Sequence, residues 1–175
     1  MHKKLSDKES YILIPGVKNY KAVSLVNGNV IKISQPKVDS EKICDVMIHE
    51  NGENHLLFRV ENRDLTFFIT SKCNQQCIMC PQKLDIDPKD NDLIIQRVID
   101  NLDYEVLDGI CFTGGEPLLK MQFIEQVVCK SPERILITIL TNGTIIPKES
   151  ILKSRRVKLC VPLYAPYDEL HNKMT

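Results

Sequence analysis

The hydrophobic pattern changes character near residue 65. Before it, apolar residues come in short runs: Tyr11-Ile12-Leu13-Ile14, Tyr20 to Leu25, Val30-Ile31-Lys32-Ile33 and Leu56 to Val60. Pro15-Gly16, Asn27-Gly28, Gln35-Pro36 and Asn51-Gly52 punctuate them, and Asn27-Gly28 between alternating runs is a hairpin signal. Ile43 to His49 fits either a strand or one helical turn. Residues 1–64 therefore read as a small β-rich N-terminal module with little functional content.

From residue 65 the pattern alternates between strand and helix. Leu65-Thr66-Phe67-Phe68-Ile69-Thr70 is a compact run, as expected of a strand buried on both faces. Over 92–105, Leu93, Ile94, Val98, Ile99 and Leu102 recur at helical spacing. Gly109 to Thr113 predicts a second buried strand, and Leu118 to Lys130 a second helix with Pro117 suited to its first turn. Arg134 to Leu140, Lys148 to Lys153 and Val157 to Leu163 follow as strand, short helix and strand, and Asp168 to Met174 begins a fourth helix. This order predicts an α/β fold with a parallel sheet and right-handed crossovers over residues 65–175. Four polar or glycine-bearing motifs then share one edge. Cys73–Cys80, Gly114–Pro117, Asn142–Gly143 and Tyr164–Ala165 each follow the C-terminal end of a predicted strand, where parallel α/β folds assemble their sites.

Composition narrows the classes. Lys+Arg and Asp+Glu both number 23, so no net field draws the chain to nucleic acid or an anionic membrane. The densest basic run, Arg155-Arg156-Val157-Lys158, reads as the solvated entry to a strand. Residues 1–10 are polar and charged, unlike a signal peptide, and no apolar window is long enough to span a bilayer. The expected location is the cytoplasm. There, seven cysteines point to metal binding or catalysis before disulfides. Cys111 and Cys160 fall in predicted buried strands and read as core residues, whereas Cys44 and Cys129 have no evident partner.

The remaining three, Cys73, Cys77 and Cys80, are spaced C-x3-C-x2-C on one short loop. Three thiolates can hold a cubane iron–sulfur cluster while leaving one iron open to a ligand. Asn74, Gln75 and Gln76 place amide donors near the sulfurs. Two other readings stay open on spacing alone. His49 or His55, 24 and 18 residues upstream of Cys73, could complete a Cys3His zinc site, and Cys77/Cys80 could be a redox pair. The second motif, Thr113-Gly114-Gly115-Glu116-Pro117, has glycines that permit close backbone approach to a ligand and an acid suited to accept from an ammonium group. A plain strand-to-helix turn with a favourable N-terminal charge would look the same. Asn142-Gly143 is likewise an ordinary turn sequence.

Taken together, the cysteine triplet after a strand and Gly-Gly-Glu-Pro beginning 34 residues past Cys80 resemble the radical S-adenosylmethionine (SAM) superfamily. That resemblance implies a [4Fe–4S] cluster on Cys73, Cys77 and Cys80, with SAM chelating the fourth iron. It implies SAM contacts from Gly114, Gly115, Glu116 and Asn142, with Met79 near the adenine, where the family often has an aromatic residue, and Tyr164 beside the cofactor. The implied chemistry is reductive cleavage of SAM to a 5′-deoxyadenosyl radical, fed by a reductant such as flavodoxin or ferredoxin. Pro162-Leu163-Tyr164 and Glu169-Leu170-His171, with Asn172 in place of an acid, are similar to radical SAM maturases of His-Xaa-Ser peptide systems, which implies a peptide or small-protein substrate. The family core has six βα units in a partial barrel, and this sequence supplies about four strands. The expectation is an apparently truncated partial barrel, completed by a second chain or by oligomerisation, or else a cluster-binding module without turnover.

Overall fold

The computed structural model describes residues 5, 9–17, 19–33, 45–80 and 92–174. Nine strands among these residues form one sheet. They are β1 (Tyr11–Ile14), β2 (Tyr20–Ser24), β3 (Val30–Ile33), β4 (Val46–Glu50), β5 (Glu53–Glu61), β6 (Asp64–Thr70), β7 (Gly109–Gly114), β8 (Leu136–Leu140) and β9 (Val157–Cys160). Their order across the sheet is β3-β2-β1-β4-β5-β6-β7-β8-β9. Pairing is antiparallel from β3 to β6 and parallel from β6 to β9. The sheet is open and does not close into a barrel. Four α-helices among the described residues accompany it: α1 (Asp92–Asn101), α2 (Met121–Lys130), α3 (Glu149–Leu152) and α4 (Asp168–Met174).

The antiparallel half follows from its turns. Asn27-Gly28 joins β2 to β3 as the hairpin signal predicts, with Gly28 at φ +74°. Asn51-Gly52 joins β4 to β5, both residues at positive φ, as a two-residue type I′ hairpin requires. The segment that fitted strand or helix is strand from Val46; Ile43 and Cys44 lie outside the described residues. The turn between β5 and β6 uses Asn62 and Arg63, also at positive φ. Arg63 is an uncommon residue there. Its guanidinium holds Asp108 through Nε–Oδ2 at 2.7 Å and Nη2–Oδ1 at 3.1 Å, which ties the turn to the entry of β7.

The parallel half departs from expectation in one respect. β6 is not buried on both faces: Leu65, Phe67 and Ile69 point into the core while Thr66 and Phe68 point away. β8 repeats this, with Ile137 and Ile139 buried and Leu136 and Leu140 exposed. One face is covered by helices. α1 contributes Ile95, Val98 and Ile99, while the predicted Leu93 is exposed. α2 contributes Phe123, Ile124, Val127 and Val128 at the i, i+1, i+4, i+5 spacing of an amphipathic face. Phe58, Phe67 and Phe112 stack through this core, with ring centroids 4.4 and 5.7 Å apart. The same core includes Ile12, Ile14, Val23 and Val46, so it runs across the change from antiparallel to parallel pairing.

Arg156 corrects the reading of a solvated basic run. It is buried, and its guanidinium donates to the carbonyls of Val128, Ser131, Pro132 and Ile135 and to Ser131 Oγ. The C-terminal carbonyls of α2 have no helical partners of their own, and a cation there is doubly favourable. No helix among the described residues is long and apolar enough to cross a membrane.

Candidate functional site

Each parallel strand delivers a loop to the same sheet edge. β6 runs into the cysteine loop, β7 into Gly114–Pro117, β8 into Thr141–Gly143 and β9 into Val161–Ala165. Between them lies a cavity of about 450 Å³, within the range of small-molecule sites. Cys73, Cys77, Cys80, Met79, Gly114, Gly115, Asn142 and Tyr164 all line it, so every predicted site residue except Glu116 is gathered there. Ser71, Gln75, Gln76, Thr113, Leu140, Thr141, Cys160, Val161 and Pro162 complete the wall.

The glycines have a more local cause than ligand approach. A Cβ on Gly114 would collide with the Thr70 backbone, and one on Gly115 with the Lys72 backbone. The peptide N–H groups of Gly115 and Glu116 donate to Thr70 O and Lys72 O, both at 2.8 Å. The two glycines therefore let β7's exit lie directly against the chain leading into Cys73. That contact fixes the base of the cysteine loop while leaving Gly114 and Gly115 thin enough to form cavity wall. Gly143 sits at φ +78°, and a Cβ there would meet Val161 Cγ1 at 2.9 Å.

Glu116 is placed differently from its expected role. Its side chain is completely buried and does not line the cavity. Oε1 accepts from Leu118 N at 2.9 Å and from Thr141 Oγ1 at 2.8 Å, and Oε2 accepts from Asn142 N at 2.8 Å. It caps the 3-10 turn Pro117–Lys120 and clasps the β8 loop to the β7 loop. The sequence could suggest an acid at this turn, but the loop it braces is 25 residues away and only the fold reveals it.

The cysteine loop is tied at both ends. Lys72 N donates to Thr70 Oγ1 at 3.1 Å, Cys80 N to Cys77 O at 3.1 Å, and Ile78 N to Met174 O of α4 at 2.9 Å. Cys73 and Cys77 are half-buried and Cys80 is exposed, all as free thiols. Asn142 Nδ2 lies 3.7 Å from Cys73 Sγ. Tyr164 is backed by His171: their rings stack at 6.0 Å, and Tyr164 N donates to His171 Nδ1 at 3.4 Å. Cys160 is not a core residue, as its strand position suggested. It lines the cavity, and Cys111, on the neighbouring open face, is only half-buried. Burial pushes the Cys111 thiol above its ordinary range, with Cys160 and Asp64 adding to the effect.

These residues fit an iron–sulfur cluster with a small-molecule partner. Soft thiolate donors with nearby N–H groups are what such clusters use. Gln75 also lines the cavity, and its Oε1 is buried with no hydrogen-bond partner among the described residues. A mononuclear zinc site fits less well. His49 and His55 do not reach the cavity; His49 Nδ1 bonds Asn54 Oδ1 at 2.7 Å, and His55 Nε2 lies 3.8 Å from Glu53.

Comparison with known proteins agrees with this chemistry. A probable GTP 3′,8-cyclase of Halobacterium salinarum is 32% identical over 88 residues, covering 45% of this chain and 24% of that protein. An S-adenosylmethionine-dependent nucleotide dehydratase of Selenomonas ruminantium is 31% identical over 106 residues, covering 58% and 35%. An uncharacterised protein of Methanocaldococcus jannaschii is 33% identical over 120 residues, covering 63% and 38%. The chain thus spans between a quarter and two fifths of the length of these relatives. No solved structure matches it. Residues 67–175 match the Radical SAM superfamily, which is more than half of the chain and includes the whole cysteine loop and all three loops that face it; the protein belongs to the radical SAM superfamily.

Proposed function

We propose that the chain holds a [4Fe–4S] cluster on Cys73, Cys77 and Cys80 with SAM beside it, and takes part in reductive cleavage of that SAM. The observation that carries this reading is the single cavity lined by the three cysteines together with Met79, Gly114, Gly115, Asn142 and Tyr164. Bound there, the cluster would supply one electron to SAM and so a 5′-deoxyadenosyl radical for hydrogen abstraction. The chain's own part is binding and orientation. Three thiolates hold three irons and leave the fourth open. Met79, Leu140, Val161 and Tyr164 give the cavity an apolar wall.

The substrate we favour is a peptide or small protein, on the likeness of Pro162-Leu163-Tyr164 and Glu169-Leu170-His171 to peptide maturases. A nucleotide is the second reading, favoured by the names of the cyclase and dehydratase relatives. A flavodoxin- or ferredoxin-type reductant supplies the electron, and a second chain or copy covers the open sheet face.

Anaerobic reconstitution tests the first step. About four irons and four sulfides per chain are expected, lost in Cys77→Ala. Stoichiometric zinc in their place would overturn the reading. Formation of 5′-deoxyadenosine from SAM under reductant then tests cleavage, and slow turnover is expected while Phe68, Leu136 and Leu140 stay exposed. Acceleration by a nucleoside triphosphate but not by peptides would move the substrate to the second reading.

A further inference from the structure

We infer that Asn142 is a positioning residue that raises the reduction potential of a cluster on Cys73, and that Asn74, Thr144 and the buried Glu116 exist in this site to aim its amide. This rests on the cluster reading above. Three side chains close a ring beside Cys73. Asn142 Nδ2 donates to Asn74 Oδ1 at 2.8 Å, Asn74 Nδ2 donates to Thr144 Oγ1 at 2.7 Å, and Thr144 Oγ1 donates to Asn142 Oδ1 at 2.7 Å. Every donor and acceptor direction in the ring is mutually consistent. Thr144 N also donates to Asn142 Oδ1 at 3.0 Å.

That backbone contact fixes which way the amide points. A peptide N–H can only donate, so the Asn142 atom facing it is the oxygen. The nitrogen must then face the other side, where Asn74 Oδ1 takes one hydrogen and Cys73 Sγ, 3.7 Å away, takes the second. An ordinary Asn turn explains the contact with Thr144 N. It does not explain a nitrogen aimed at a sulfur, or a bond to Asn74 on a loop 68 residues away.

The backbone of Asn142 is held as firmly as its side chain. Glu116 Oε2 accepts from Asn142 N at 2.8 Å, and Glu116 Oε1 accepts from Thr141 Oγ1 at 2.8 Å. Thr141 Oγ1 in turn accepts from Gly143 N at 3.1 Å. A carboxylate with no solvent exposure thus pins three successive residues of the β8 loop. Glu116 acts on the cluster through Asn142, in place of direct contact with the cavity.

The physical consequence has a sign. Reduction adds negative charge to the cluster and its sulfurs, and a donor to a ligand sulfur stabilises the reduced form more than the oxidised form. Asn142 therefore raises the potential, and its removal lowers it.

The test is an EPR-monitored redox titration of the anaerobically reconstituted chain, with iron and sulfide counted in each sample. Asn142→Leu, which keeps volume and removes the donor, is expected to retain iron. Its reduced-to-oxidised ratio at fixed potential should fall about tenfold, a shift of ~59 mV for one electron. Glu116→Gln should shift the potential the same way by less, and should add nothing in the Asn142→Leu background. Full iron content with an unchanged potential in Asn142→Leu would overturn the inference and leave the cluster reading standing. If Asn142→Leu takes up no iron, Thr144→Val supplies the same test. It opens the ring but leaves Asn142 in place, so a smaller negative shift supports the inference and no shift sinks it. A wild-type chain that takes up no iron would defeat the cluster reading itself, and the inference with it.

Discussion

Phe67 and Phe68 are neighbours on β6 and lead opposite lives. Phe67 is fully buried between Phe58 and Phe112, whereas Phe68 is 41% exposed on the other face of the sheet. β8 repeats the contrast, with Ile137 and Ile139 at 0% exposure and Leu136 and Leu140 at 65% and 44%. The covered face holds the fold together through α1, α2 and α3. The open face carries Cys111, Thr113 and Leu140, and the cavity with the cysteine loop stands at its upper edge. Stability and chemistry are thus divided between alternate residues of the same strands.

The largest way to test that division is a pair of alanine substitutions. Phe67→Ala leaves a cavity between two other rings and should cost ~3–5 kcal/mol by urea or guanidinium unfolding. Phe68→Ala should cost under about 1 kcal/mol, because that ring already meets solvent. Equal losses would mean that the open face is covered in solution. Next in size is Glu116→Ala. It leaves Leu118 N, Asn142 N and Thr141 Oγ1 without their acceptor, and about 2–3 kcal/mol is expected from unpaired buried donors. A loss that large from a residue of the cavity edge sharpens the division: the edge has its own buried skeleton. Leu136→Thr is smaller still, within about 0.5 kcal/mol for an exposed strand position. A cost above about 1 kcal/mol there would show a partner on the open face, and a parallel measurement of oligomeric state would identify a second copy.

Much of this arrangement is legible in the residues, for reasons of period and punctuation. The cysteine triplet, the Gly-Gly pair and Asn142 fall at strand ends because parallel strands must all exit on one edge, so chain order alone brings them together. The period-two pattern of Leu65, Phe67 and Ile69 was also present. A dense run containing Thr66 and Phe68 hides it, since an exposed aromatic reads as buried in a hydropathy pattern. The surroundings of Arg156 and Glu116 are hidden for a different reason. Each is a charge buried by partners distant in sequence: Arg156 by the end of α2, Glu116 by the β8 loop. No local pattern announces such pairs. Cys160 is similar, since a cysteine on a short strand looks like core until the neighbouring face is known to be open.

The smallest effect expected is a pH dependence located on the covered side of the molecule. Asp108 is held below the usual carboxylate range by hydrogen bonds from Arg63, and Glu125 on α2 by those from Lys148 and Ser150. At Asp100 on α1, partial burial acts the other way, but hydrogen bonds from Lys130 and Gln96 outweigh it and the group is also lowered. A carboxyl whose pKa is lower folded than unfolded binds fewer protons in the native state. Its contribution is fully present above the unfolded value and disappears as pH falls through the folded value. Urea midpoints should therefore stay level from pH 7 to about 5 and decline below it, and added salt should flatten the decline because these pairs are exposed. Arg63→Gln should remove most of the Asp108 share, the rest remaining with Arg134 at 3.8 Å, and should add a pH-independent loss from the broken Arg63 Nη2–Glu105 O bond. A decline that survived Arg63→Gln and Lys148→Met unchanged would place the titrating groups elsewhere, on the open face or at the cavity edge, and would break the assignment of the molecule's electrostatic stability to its helical side.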